Sequence, residues 1–203
     1  PMPAGMAYTD AAAIPFGFGT AMNFLGKAGM IAGQRVLVYG ASGAVGSAAV
    51  QLARQLGAEV TGVCSTRNVE LVHSLGATQV LDYTKDDLSA HRNGFDVVFE
   101  TVGKLPFMAC VALVKDGGTL ILGSDLPADM LKRAFSSKGG KQVKVIAGTT
   151  SGTAAHMQHF ASLWEQKLIR PVIDRTFPLE RIREAHALAE SWHKVGSVVI
   201  TMP

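Results

Sequence analysis

The stretch RVLVYGASGAVGSAAVQLARQLGAEV, Arg35 to Val60, constrains the fold more than any other part of this sequence. Its first residues are apolar and β-branched on both faces, as in a strand buried within a parallel sheet. Gly40, Gly43 and Gly46 follow at once. Val45, Ala49, Leu52 and Leu56 then recur at helical spacing, Gly57 supplies a stop, and EVTGVC reads as a second strand. Gly40 permits a tight turn, Gly43 lets backbone approach a diphosphate, and Gly46 allows close packing of helix on strand. The helix start offers unpaired N–H groups and the positive end of a dipole to phosphates. Ala41, Ser42, Ala44 and Val45 complete the expected cradle. A tight turn without ligand is the alternative, but the flanking strands and helix are the context a dinucleotide motif requires.

The same rhythm continues down the chain. NVELVHSLG predicts a second helix ending in Gly76, and TQVLDY, FDVVFE, GTLILGS and QVKVIAG predict the third to sixth strands. The expected fold is α/β, a Rossmann-type doubly wound parallel six-stranded sheet with helices on both faces. The Ala-rich TDAAAIPFGFGTAMNFLGKAG reads as a helix leading into it, and Ser136–Gln142 is the most loop-like stretch. The tail TFPLERIREAHALAESWHKVGSVVITMP reads as an amphipathic helix and one last strand, with Ile182, Ala185, Leu188 and Ala189 on one apolar stripe. Two parts are expected: residues 1–175 as the dinucleotide-binding domain with its lead-in helix, and 176–203 as a C-terminal helix and strand.

Composition excludes several classes. With 48% apolar and 17% charged residues the chain can fill a sizeable core. The net charge of +3 is scattered, without a run of more than two Lys or Arg, so nucleic acid is an unlikely partner. No apolar run is long enough to span a membrane. Cys64 and Cys110 lack metal-ligand spacing and lie in apolar stretches, so they read as buried thiols, and a cytoplasmic location is expected. His156 and His159 are three apart, but no Cys or acid joins them, and no metal site is expected.

The turn itself reads G-x-x-G-x-x-G, which leaves the ligand to be narrowed by other residues. Short-chain dehydrogenases need a Tyr-x-x-x-Lys pair, yet none of Tyr8, Tyr39 and Tyr83 has Lys four positions on. A methyltransferase would want an acid at the end of the second strand; Glu59 lies at its wrong end. That strand ends at Cys64 and is followed by Ser65, Thr66, Arg67 and Asn68. NAD-dependent folds place an acid there on the ribose 2′-OH. The guanidinium fork of Arg67, two hydroxyls and an amide instead suit the 2′-phosphate of NADP(H).

AAAIPFGFGTAMNFL, GQRVLVYGASGAVGSAAVQLARQLGAEV, CSTRNVELVHSLGATQVLDY, FDVVFETVG, GGTLILGS and RPVIDRTFPLERIREAHALAESWHKVGSVVI occur in that order over nearly the whole chain. Together they resemble medium-chain dehydrogenases/reductases, specifically the zinc-independent quinone oxidoreductase-like branch. The resemblance implies that Thr20 lies near the nicotinamide amide and Tyr83 near the adenine-side phosphate. It implies that Thr101 and Val102 lie along the nicotinamide ribose, with Gly123 and Ser124 on the same side of the sheet. Tyr83 also reads as an ordinary aromatic, and Thr101 and Ser124 as ordinary turn residues. Zinc-dependent relatives place a Cys four positions before the threonine; here that position is Phe16.

The activity so implied is hydride transfer between NADPH and a quinone, enone or other carbonyl substrate, with this chain as the NADP(H)-binding domain and no catalytic residue assigned. An inactive relative acting as an NADPH-sensing or interaction module is the alternative. The family also implies a GroES-like catalytic domain ahead of this region, which would explain a glycine turn so early in the chain. A homodimer through the sixth strand is the expected assembly.

Overall fold

The structure is a computed structural model that describes residues 2–123, 140–150 and 152–202. A lead-in helix, α1 (Tyr8–Ala28), precedes β1 (Arg35–Tyr39), α2 (Ala44–Gln55) and β2 (Glu59–Cys64). A short 3₁₀ turn, Thr66–Asn68, leads into α3 (Val69–Ser74), then β3 (Gln79–Asp82), β4 (Phe95–Glu100), α4 (Phe107–Leu113), β5 (Val114–Leu122) and β6 (Lys144–Ile146). The chain continues through α5 (Ala154–Glu165), β7 (Ile173–Pro178), α6 (Ile182–Glu190) and β8 (Ser197–Thr201).

The six expected strands form one sheet in the order β3-β2-β1-β4-β5-β6, and every neighbouring pair is parallel. Pleating splits β1 between two cores. Val36 and Val38 pack with Phe24, Leu25, Ala49, Leu52, Val72 and Phe160 on one face, whereas Leu37 packs with Cys110 and Leu113 on the other. Each of these β1 residues is fully buried, which is why the strand has no polar alternation. Chain order reverses between β1 and β4, and in such sheets ligands bind in the crevice outside the strand ends at that point.

Two elements depart from the expectation. The fifth strand begins at Val114, not at Gly118, because an irregular segment with Gly117 at φ 76° continues the pairing with β4 across a register shift. The tail carries two strands, not one: β7 pairs in parallel with β8, and with α6 between them they form a small separate βαβ unit. β7 escaped notice because IDRTFP is charged, ends in proline and buries only Phe177. It also runs across the expected boundary at 175, so this unit takes in Ile173, Asp174 and Arg175. Of the expected apolar stripe on α6, Ala185 is buried and Ile182 is exposed.

Hydrogen bonds tie the βαβ unit and the segment leading into it to the main sheet. Gly196 donates its N–H to the Ser42 carbonyl at 2.7 Å, beside a bridge between Gly43 and Gly196. Gln51, buried on α2, donates to the Arg170 carbonyl and accepts from the Arg170 N–H. Among the described residues no helix is long and apolar enough to cross a membrane.

Candidate cofactor-binding groove

A groove runs across the carboxyl ends of β1 to β5, in two halves that share Gly40, Gly43, Val102, Trp192 and Lys194. The half over β1–β3 encloses about 270 Å³ and the half over β4–β5 about 250 Å³. The glycine turn forms its floor. Gly40 has φ 82°, and a Cβ there would collide with the Val102 and Thr101 side chains. A Cβ on Gly46 would collide with the Gly40 carbonyl, so the first turn of α2 seats directly on the loop. A Cβ on Gly43 would meet nothing nearer than 3.4 Å, leaving that backbone open to the groove. No acidic residue occupies the first turn of α2, so its unpaired N–H groups are free to receive an anion. Ser42, Ala44 and Val45 line the groove, whereas Ala41 is fully buried beneath it.

The loop after β2 is braced from below. Asp82, at the end of β3, accepts from the Thr66 hydroxyl at 2.5 Å and from the hydroxyl and N–H of Thr84. The Thr66 bond, then those from Thr84, hold the Asp82 carboxyl at about 2, well below its ordinary range. Asn68 is buried and donates its amide to the hydroxyls of Ser42 at 3.0 Å and Ser65 at 3.3 Å. Asn68 lines the groove and Thr66 the shallow pocket beside it, and the hydrogen bonds of both also brace the loop. Ser65 and Arg67 line the groove, and Arg67 donates to the His193 carbonyl at 2.6 Å. Tyr83 pairs with Tyr39, ring centroids 6.4 Å apart, to close this end.

At the other end Glu100 makes the turn. Its buried carboxylate accepts the N–H groups of Val102 and Gly103 at 3.1 and 2.7 Å, which sets Val102 against the glycine loop. The Thr101 hydroxyl donates to the Tyr39 carbonyl at 2.7 Å. Thr101, Val102 and Gly123 line this half with Phe16, which is 70% exposed. Thr20, one turn further along α1, is half-buried and lines neither half. Ser124 lies outside the described residues.

The charges have one sign. Among the described residues Arg67, Lys104 and Lys194 line the groove, and no carboxylate does. Burial pulls the Lys194 ammonium below its ordinary pKa, and Asp174 partly offsets this. Cys64, at the groove wall, is pushed up to about 11 by burial, so it is no nucleophile. Lys104, Trp192, His193 and Lys194 were not foreseen as site residues; three of them come from the loop between α6 and β8, more than 120 positions after Arg67.

A parallel sheet with a glycine turn, an anion-receiving helix start and a cationic crevice at its switch point defines an NAD(P)-binding domain. A family model described as zinc-binding dehydrogenase matches residues 75–200, and one described as alanine dehydrogenase/PNT, C-terminal domain, matches residues 7–116. The chain belongs to the medium-chain dehydrogenase/reductase superfamily. It is 32% identical to 2-methylene-furan-3-one reductase of Solanum lycopersicum, over 98% of this chain and 48% of that protein. It is 30% identical to the chloroplastic NADPH-dependent alkenal/one oxidoreductase of Arabidopsis thaliana, again over 98% and 48%. The quinone oxidoreductase from Coxiella burnetii superposes with a TM-score of 0.84 at 27% identity, covering 96% of this chain and 61% of that one. The chain thus spans about half the length of the curated relatives it matches.

Proposed function

We propose that this chain is the NADP(H)-binding part of a zinc-independent oxidoreductase that moves hydride between NADPH and a quinone, an enone or another carbonyl compound. The observation that carries the cofactor assignment is the end of β2, where Ser65 and Arg67 stand in place of an acid and no carboxylate among the described residues lines the groove. A ribose diol prefers a carboxylate there, whereas a 2′-phosphate prefers a guanidinium. The name of the Arabidopsis relative, NADPH-dependent, agrees. Gly43, Ala44 and Val45 would take the diphosphate, Ser65 and Arg67 the 2′-phosphate, and Tyr39 and Tyr83 the adenine side. Thr101, Val102 and Gly123 would border the nicotinamide. The bound cofactor supplies the hydride; the protein orients it and excludes water.

The relatives act, by their names, on a methylene-furanone, alkenals and enones, and a quinone. All are polarised, hydride-accepting double bonds, and the same class is proposed here. Zinc-independence rests on Phe16, whose ring cannot ligate, and among the described residues no three His, Cys, Asp or Glu gather. A homodimer through β6, an edge of the six-stranded sheet, belongs to the same proposal, as does a cytoplasmic, reducing location for two unpaired cysteines.

A second assignment, an NADPH-sensing module without turnover, is favoured by one observation: among the described residues the nicotinamide half is lined mostly by apolar side chains, with Lys194 its one titratable group. Thermal unfolding of this chain with NADP⁺ and NAD⁺ tests the cofactor assignment, and NADPH oxidation with a quinone and an enone by the full-length protein separates the two cases. Stabilisation by NADP⁺ above that by NAD⁺ is expected, with little turnover by these 203 residues alone. Stoichiometric zinc on elemental analysis would contradict the zinc-independent assignment, and a monomer in light scattering the dimer.

A further inference from the structure

At the waist of the groove stands a pair of side chains that packing does not explain. The Lys104 ammonium lies 5.7 Å from the centroid of the Trp192 ring. Trp192 follows the last turn of α6 with φ 62°, in the left-handed region that a helix end usually gives to glycine. A tryptophan there is strained, and burial does not offset the strain, because the residue is 66% exposed. Strained residues of this kind concentrate at ligand clamps. The ring borders both halves of the groove, opposite Gly40 and Gly43. Lys104 is exposed, and the N–H groups gathered on Glu100 just before it fix the root of its side chain.

We propose that Lys104 and Trp192 are cofactor-contacting residues that form a latch over the middle of the dinucleotide; the inference rests on the dinucleotide assignment above. The structure places the ammonium on the indole. A diphosphate laid on Gly43 draws the ammonium away, because a charge-assisted hydrogen bond to an anion outweighs an exposed cation–π contact. The freed indole then packs over the cofactor between its two halves. Lys104 thus reads the diphosphate, separately from the 2′-phosphate that Arg67 reads.

The chain contains two tryptophans, and a Trp164→Phe background leaves Trp192 as the sole indole emitter. NADP⁺ is expected to shift its emission. 2′-AMP, which carries the 2′-phosphate without the diphosphate, is expected to bind and leave the emission unchanged. By calorimetry, Lys104→Ala should weaken NADP⁺ about 10-fold and leave 2′-AMP unaltered. Trp192→Gly should weaken NADP⁺ while keeping or raising the melting temperature, since glycine suits this φ. Normal NADP⁺ binding without an emission change, or equal effects of Lys104→Ala on the two ligands, would overturn the latch and leave the dinucleotide assignment standing. A wild type that binds no NADP⁺ would overturn both.

Discussion

The two ends of the groove are built differently. Over β2 and β3 nearly every polar group on the rim is tied to another: Thr66 to Asp82, Asn68 to Ser42 and Ser65, Arg67 to the His193 carbonyl. Such a rim is rigid before any ligand arrives, so little ordering cost falls on binding. Over β4 and β5 the described walls are Phe16, Val102, Gly123 and Ala189, and the Thr101 hydroxyl gives its proton to backbone. Recognition of the phosphate end is therefore written into this chain's own hydrogen bonds. Chemistry at the acceptor end is not, and affinity and turnover should separate under mutation.

The largest expected effect breaks both ends at once. Gly46→Val would drive a branched side chain into the Gly40 carbonyl and should cost about 3 kcal/mol of stability, read by urea unfolding. Full stability would mean that the close seat of α2 on the glycine loop is dispensable. Arg67→Ala separates the ends: losing one charge-assisted bond, about 1.5–3 kcal/mol, should weaken NADPH about 10- to 150-fold and spare NADH. Equal weakening of both cofactors would place Arg67 on a shared part of the ligand.

Asp82→Asn tests the brace beneath Arg67. The folded carboxyl, at about 2, lies below its ordinary value, so its contribution to stability is present above about pH 4 and fades as pH falls through 2. The wild type should be the more stable above that window, and the difference should shrink on acidification; a pH-independent difference would remove the charge from the explanation. The smallest effect is expected at the open end. Phe16→Ala removes an exposed ring and should change stability by no more than about 0.5 kcal/mol, with cofactor affinity unchanged in calorimetry. A marked loss of NADPH affinity would show that this wall also holds cofactor.

The parts legible in the sequence were those whose job is local. Gly46 answers to a steric limit within six residues, the Gly40 carbonyl, and β1 announces its double burial by an unbroken apolar run. Arg67 was legible as a groove residue for the same reason, since it stands at a fixed offset from the end of β2. Trp192 and Lys194 were not, since a loop far along the chain reaches the groove only after β7 and β8 pair and Gly196 docks on Ser42. The run WHKVG before an apolar strand, with its glycine at φ 70°, was the available signal. Thr66 and Asn68 were legible as loop residues, but their hydrogen-bond partners were not, because Asp82 and Ser42 come from other strands' ends.

The claim that the β2 end selects a 2′-phosphate is tested most directly on the unmodified chain. Calorimetric titration with NADPH and NADH in the same buffer should give a preference for NADPH of at least about tenfold, the worth of one charge-assisted hydrogen bond. Equal affinities, or tighter binding of NADH, would contradict it.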